Sequence, residues 1–261
     1  YRVPLADPAT EKLVYNIGWI AEETDTVERE TTSVSVGTTR LIGAWQRRLA
    51  LSFERETYTL TDESGRSEFI IPRAGFERVE ADNRLNTRHG WRISIDLRAA
   101  AEPVGSDTSF LQARVDTRAV HTFADAPRQR LVARAALGAT RAAEFTQMPA
   151  SLRFFAGGDR SIRGYAYQSL GPMDDEGDVI GGRHLAVGSL EYELGLSETT
   201  GVAVFYDAGS AFEPGPREVY EGAGTGFRWH TPIGTLAVDV AWALTRPDRP
   251  WRFHLTLGPD L

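Results

Sequence analysis

The sequence predicts an all-β chain arranged as an antiparallel barrel, and three observations predict it. Apolar and polar residues alternate with period two in segment after segment. The segments reach the roughly ten residues that a tilted strand needs to cross a bilayer. Short clusters of Asp, Asn, Gly, Ser and Pro punctuate them.

About twelve such segments follow one another, as an even-numbered barrel would require. The first two span 11–26 and 29–42. In the third, 44–59, Trp45, Leu49, Leu51 and Phe53 oppose Arg48, Ser52 and Glu54. A turn at Asp62-Glu63-Ser64-Gly65 leads to 66–81, and Asp82-Asn83 leads to 89–101. There Trp91, Ile93, Ile95 and Leu97 share one face, and Arg92, Ser94, Asp96 and Arg98 the other. Gly105-Ser106-Asp107 introduces 107–123, and 128–142 follows. After an interruption at 143–183 the rhythm resumes in 184–197, with Leu190, Tyr192 and Leu194 opposite Ser189, Glu191 and Glu193. Next come 200–213 and, past Pro214-Gly215-Pro216, 219–231. In 233–245, Leu236, Val238, Val240, Trp242 and Leu244 oppose Asp239. Past Pro247-Asp248, the last segment, 250–261, sets Trp251, Phe253, Leu255 and Leu257 against Arg252, His254 and Thr256.

The 261 residues suit one all-β domain spanning 1–261. Thirty-six acidic against 29 basic residues give a net charge of -7, which argues against a nucleic-acid partner. There is no cysteine, hence no disulfide and no thiolate chemistry. No apolar run is long enough for a transmembrane helix. A polar average does not argue against a membrane barrel, because only alternate residues face lipid. The opening residues do not read as a signal peptide, so an exported chain would be a mature form or a fragment. The charged strand faces suit either bulk water or a wet lumen. Trp19, Trp45, Trp91, Trp229, Trp242 and Trp251 fall mostly on apolar faces, several near strand ends, as interfacial girdles do. The pattern alone leaves a membrane barrel and a soluble barrel or sandwich both open.

The interruption is the most informative segment. Residues 153–172 are rich in Gly and Arg and have neither helical nor strand periodicity. Phe154, Phe155, Ile162, Tyr165, Tyr167 and Leu170 make it too apolar for a solvated tail. Loops of this length are usually functional, and this one reads as a loop that packs inside something.

Arg163-Gly164-Tyr165 resembles the Arg-Gly-aromatic signature in the long loop of the BamA/TamA superfamily of outer-membrane assembly barrels. The flanking Phe-Phe-Ala-Gly-Gly-Asp (154–159) and Ser-Leu-Gly-Pro (169–172) are similar to TamA in particular. So are residues 178–183, 188–193, 204–209 and 257–261, and upstream 1–5 and 109–114. The resemblance spans nearly the whole chain. It implies a transmembrane barrel in the outer membrane of a Gram-negative bacterium, with loop 143–183 folded into the lumen. Family members have periplasmic POTRA domains and a sixteen-stranded barrel. This chain shows no POTRA-like segment and only about seven strands before the loop, so it resembles the C-terminal part of such a barrel.

The implied activity is assistance in inserting or secreting outer-membrane proteins such as autotransporters, without enzymatic chemistry or a cofactor. The implied partners are the lipid bilayer, client barrels and a TamB-like inner-membrane-anchored protein that would contact the POTRA domains. A passive porin or a two-partner-secretion-type transporter is the alternative. The resemblance assigns loop roles to Phe155, Gly157, Gly158, Asp159, Arg163, Gly164 and Tyr165, with Tyr165 and Phe155 packing the loop tip. A guanidinium buried in a barrel needs carboxylates. By alternation Glu191 and Asp207, on the two strands after the loop, point inward to receive Arg163. Trp251, Phe253, Leu255, Leu257 and Leu261 resemble a C-terminal outer-membrane strand signal.

Gly222-Ala223-Gly224-Thr225-Gly226 lacks the following helix of a dinucleotide loop, and glycines inside a strand mark bends or close contacts instead. Asp174-Asp175-Glu176-Gly177-Asp178 lacks calcium-loop spacing and reads as a solvated turn. His89, His121, His184, His230 and His254 are scattered without metal-ligand spacing, so no metal is expected.

Overall fold

The computed structural model describes residues 2–4, 10–23, 27–60, 63–125, 127–215 and 218–261. The alternating segments become strands: β1 (Arg2–Pro4), β2 (Glu11–Glu23), β3 (Val27–Ile42), β4 (Trp45–Leu60), β5 (Glu63–Ala81), β6 (His89–Ala100) and β7 (Phe110–Asp125). They continue as β8 (Arg128–Ala142), β9 (His184–Gly195), β10 (Thr200–Phe212), β11 (Tyr220–Thr231), β12 (Gly234–Ala243) and β13 (Trp251–Gly258). All lie in one sheet in sequence order, an up-and-down meander of antiparallel neighbours. The three-residue β1 and the short 3-10 turns at 102–104, 145–147 and 150–152 are additions to the expected elements. The expected turns at 62–65 and 214–216 lie partly outside the described residues, as do both ends of the run 1–5.

The last strand needs correction. It ends at Gly258 rather than 261, and Pro259-Asp260-Leu261 turns in to bury Asp260 and Leu261. The Arg84 carbonyl accepts hydrogen bonds from both of their amides. Ending the ladder there lets Leu261 pack on Val120 and Val132 instead of standing on the exposed face with Leu257.

Contacts divide the chain into two compact units. The first comprises residues 1–78, 94–114 and 139–153. Its core joins Phe69, Ile71, Ala100 and Phe110 of β5–β7 to Phe145, Met148 and Leu152 of the 3-10 turns. Gln112 ties the two together, its side-chain amide donating to Thr140 Oγ1 at 2.9 Å and to the Leu152 carbonyl at 2.6 Å.

The second unit comprises residues 79–93, 115–138 and 154–261. Its alternation is inverted relative to a water-soluble sheet. On β10, Val202, Val204 and Tyr206 are exposed, while Ala203, Phe205 and Asp207 are buried. On β13 the exposed set is Trp251, Phe253, Leu255 and Leu257, and His254 is buried. Arg130, Glu193, Asp207, Arg228 and Asp239 are all buried, while Leu137 is 55% and Trp251 64% exposed. A sandwich in water buries its apolar faces. A sheet that buries charges and exposes apolar residues has lipid as its outer solvent.

Candidate functional site

The site grows from the part of the long loop that belongs to the second unit, residues 154–183. Three isolated bridges shape it: Phe154 to Gly182, Ala156 to Leu170, and Met173 to Val179. Phe154, Ala156, Ile162, Tyr165 and Leu170 pack with Leu185, Val187, Ala211 and Ala243. The loop therefore has an apolar core of its own that holds it against β9, β10 and β12. One expectation is corrected here. Phe154, not Phe155, is the deeply packed aromatic, because the bridge to Gly182 turns it inward over Gly138 and leaves Phe155 half-buried. Tyr165 is 1% exposed. Its hydroxyl donates to the Glu221 carbonyl at 3.1 Å and accepts from the Thr245 amide.

The backbone at Gly157, Gly158 and Gly164 has positive φ, at 95°, 98° and 96°. At Gly164 a side chain is excluded twice over. The conformation disfavours it, and a Cβ would lie 2.7 Å from the Trp242 carbonyl carbon. That close approach delivers Arg163 to the wall.

Arg163 is the centre of the site. Its Nε donates to Asp207 Oδ2 at 2.8 Å, and one terminal nitrogen donates to Asp207 Oδ1 at 2.9 Å and more weakly to Ser189 Oγ at 3.4 Å. The other terminal nitrogen donates to Glu191 Oε2 at 2.9 Å and Asp239 Oδ2 at 3.0 Å. All five guanidinium N–H groups thus have acceptors. The Arg163 amide adds a bond to Asp207 Oδ2 at 3.0 Å, and the Phe205 ring lies 3.3 Å beneath the guanidinium carbon. Burial alone would lower the Arg163 pKa, but bonding to Asp207, the Asp207 charge and Glu191 outweigh it and raise the pKa.

The wall is an alternating lattice of charge. Arg228 on β11 bonds Glu191 Oε1 at 2.9 Å and also reaches Asp239. Arg134 on β8 donates to Ser189 Oγ at 3.0 Å and lies 3.6 Å from Asp207. Three guanidiniums and three carboxylates interleave, so the cluster is neutral although buried. Asp159, by contrast, bonds the Nδ1 side of His254 on β13, whose Nε2 accepts from the Gly164 amide at 2.9 Å. The imidazole is therefore neutral with its proton on Nδ1, donated to Asp159. Further along β8 and β9, on the same face, Arg130 bridges Glu193 at 2.7 Å and Asp260 at 2.6 Å. Glu193 also takes Arg128 at 2.8 Å and His230 at 2.7 Å.

The structure thus brings Arg163, Glu191 and Asp207 together, and joins Gly157, Gly158, Asp159, Gly164 and Tyr165 to the same assembly. Trp251, Phe253, Leu255 and Leu257 face outward and are not part of it. Sequence reasoning missed Asp239, Arg228, Arg134, Phe205 and His254. Their signal was present for Asp239 and His254, each a polar residue among apolar neighbours on an alternating strand. Which of them meet was not, because that depends on register. The glycines of β11 explain the fit. A Cβ on Gly222 would lie 2.0 Å from the Arg163 carbonyl oxygen, on Gly224 2.4 Å from the Phe205 ring, and on Gly226 1.8 Å from Asp239 Oδ1.

Comparison with known proteins follows the same lines. Outer membrane protein assembly factor BamA of Nitratidesulfovibrio vulgaris (Hildenborough) is 28% identical over 211 residues, covering 76% of this chain and 26% of that protein. The protein of the same name from Neorickettsia risticii (Illinois) is 28% identical over 179 residues, covering 62% and 23%. The chain therefore spans about a quarter of the length of the curated relatives it matches. The crystal structure of Haemophilus ducreyi BamA lacking POTRA domains 1–3 matches 98% of this chain and 59% of that one, with a TM-score of 0.80 at 17% identity. That likeness gives the fold, an outer-membrane-type β-barrel. Residues 14–260 match the Omp85 superfamily domain, and the chain belongs to that superfamily of Gram-negative outer-membrane proteins.

Proposed function

We propose that this chain is the barrel portion of a TamA-like machine that helps insert or translocate other outer-membrane proteins, autotransporters among them. The observation that carries the reading is the Arg163 clamp, a loop fixed to the inner wall through every donor of one guanidinium. A passive pore needs a constriction but no such brace. The mechanism is physical, with no bond made or broken. A client strand pairs with an exposed strand edge, as in β-augmentation. Short strands mismatch and thin the bilayer, which eases entry of a client hairpin. The clamped loop keeps the wall in shape meanwhile. The partners in this reading are the bilayer, client barrels and a TamB-like protein reached through POTRA domains.

The test uses the full-length protein in lipid vesicles with an unfolded client barrel. Wild type should accelerate client assembly, and Arg163→Ala and Asp207→Asn should slow it severalfold. If the intact protein gives no acceleration but conducts ions steadily, the assembly reading is wrong and the porin reading takes its place.

A further inference from the structure

We infer that His89 and His121 form a two-imidazole site for a divalent transition metal of the zinc or copper class. This goes beyond the assembly function and does not depend on it. Nothing in the sequence spacing joins the two residues, which stand 32 positions apart. The sheet does. The Thr122 amide donates to the Arg88 carbonyl at 2.8 Å. In an antiparallel ladder that bond makes His89 of β6 and His121 of β7 directly opposed residues without mutual backbone bonds, the pairing in which side chains come closest. Their Nδ1 atoms are 3.3 Å apart, with ring centroids at 4.9 Å and an edge-to-face tilt.

That spacing has a chemical meaning. Two metal–nitrogen bonds of about 2.0–2.1 Å at a tetrahedral angle hold their nitrogens about 3.4 Å apart, as zinc prefers. A square-planar angle brings them to about 2.9 Å, as for copper(II). The observed separation lies nearer the first and is longer than a usual hydrogen bond. Both rings are exposed, so metal has access. The Asp82 carboxylate caps the same corner, accepting from the Arg88 amide at 3.1 Å and the His89 amide at 3.2 Å. Among the described residues no cluster of three or more His, Cys, Asp or Glu completes a metal shell. The protein thus offers two ligands and water fills the remaining positions.

The experiment titrates the full-length, tag-free protein in detergent with Zn2+ and with Cu2+, beside His89→Gln, His121→Gln and the double variant. Wild type should bind one equivalent beyond the double variant, with an electron paramagnetic resonance signature of nitrogen ligation for Cu2+. Each single variant should weaken that equivalent by more than the about tenfold that loss of an outer-shell partner costs. A second measurement needs no variant. Zn2+ should protect His89 and His121 of wild type from diethylpyrocarbonate, read by mass spectrometry. Equal binding by wild type and double variant, or absence of protection at saturating Zn2+, overturns the site.

Discussion

Arg163 illustrates how one residue type is dictated by geometry. Three carboxylates and a hydroxyl surround it, and only a planar five-donor fork reaches them all. Arg163→Lys should therefore behave nearly as badly as Arg163→Ala, and Arg163→Ala should cost about 3–5 kcal/mol because it strands buried charge. Urea unfolding in detergent measures this. A double-mutant cycle of Arg163→Ala with Asp207→Asn should return a coupling of about 0.5–3 kcal/mol, and zero coupling would refute the clamp. His254→Phe removes the acceptor of the buried Gly164 amide and should cost about 1–3 kcal/mol. It should also speed protease cleavage within 154–183, with His254→Gln less affected.

At the scale of the element, strand positions were largely legible and their partners were not. Period two gives each strand and its inward face, because successive side chains point to opposite sides. It placed Glu191 and Asp207 on the inner face from their neighbours alone. It could not give Asp239 to Arg163, because that contact depends on the register pairing Gly226 with Asp239 and Asp239 with His254. A slip of one residue would turn all three away. The turn after Gly258 was invisible for another reason. Asp260 leaves the ladder to reach Arg130 and the Thr87 amide, which are distant in sequence. Strand β11 supplies the sharpest test at this scale. Gly222→Ala should unseat the loop and expose it to protease, because the new Cβ collides with the Arg163 carbonyl. Gly188→Ala on β9, with open space around it, should leave the loop seated.

For the whole molecule, the two solvents divide the residues. Exposed Val204 lies near the middle of β10 on the apolar face, and buried Asp207 lies on the other. Val204→Arg should destabilise the protein by about 2–4 kcal/mol in lipid vesicles, the cost of a cation near the bilayer midplane. Its effect in a detergent that solvates the charge should be smaller. Equal effects in both media would mean that this face does not meet hydrocarbon. The family is legible from the loop motif because that motif is a contiguous string. The neutral lattice beneath it comes from strands far apart along the chain and exists only once they are aligned.

The bare stretch of β11 has a thermodynamic corollary. Gly222, Gly224 and Gly226 carry no rotamers, so this stretch of β11 has no side-chain freedom to lose as Arg163, Phe205 and Asp239 settle against it. The ordering cost there falls on the incoming segment. The strand acts as a finished mould, and seating should be limited by how fast the loop finds its shape rather than by any rearrangement of that stretch.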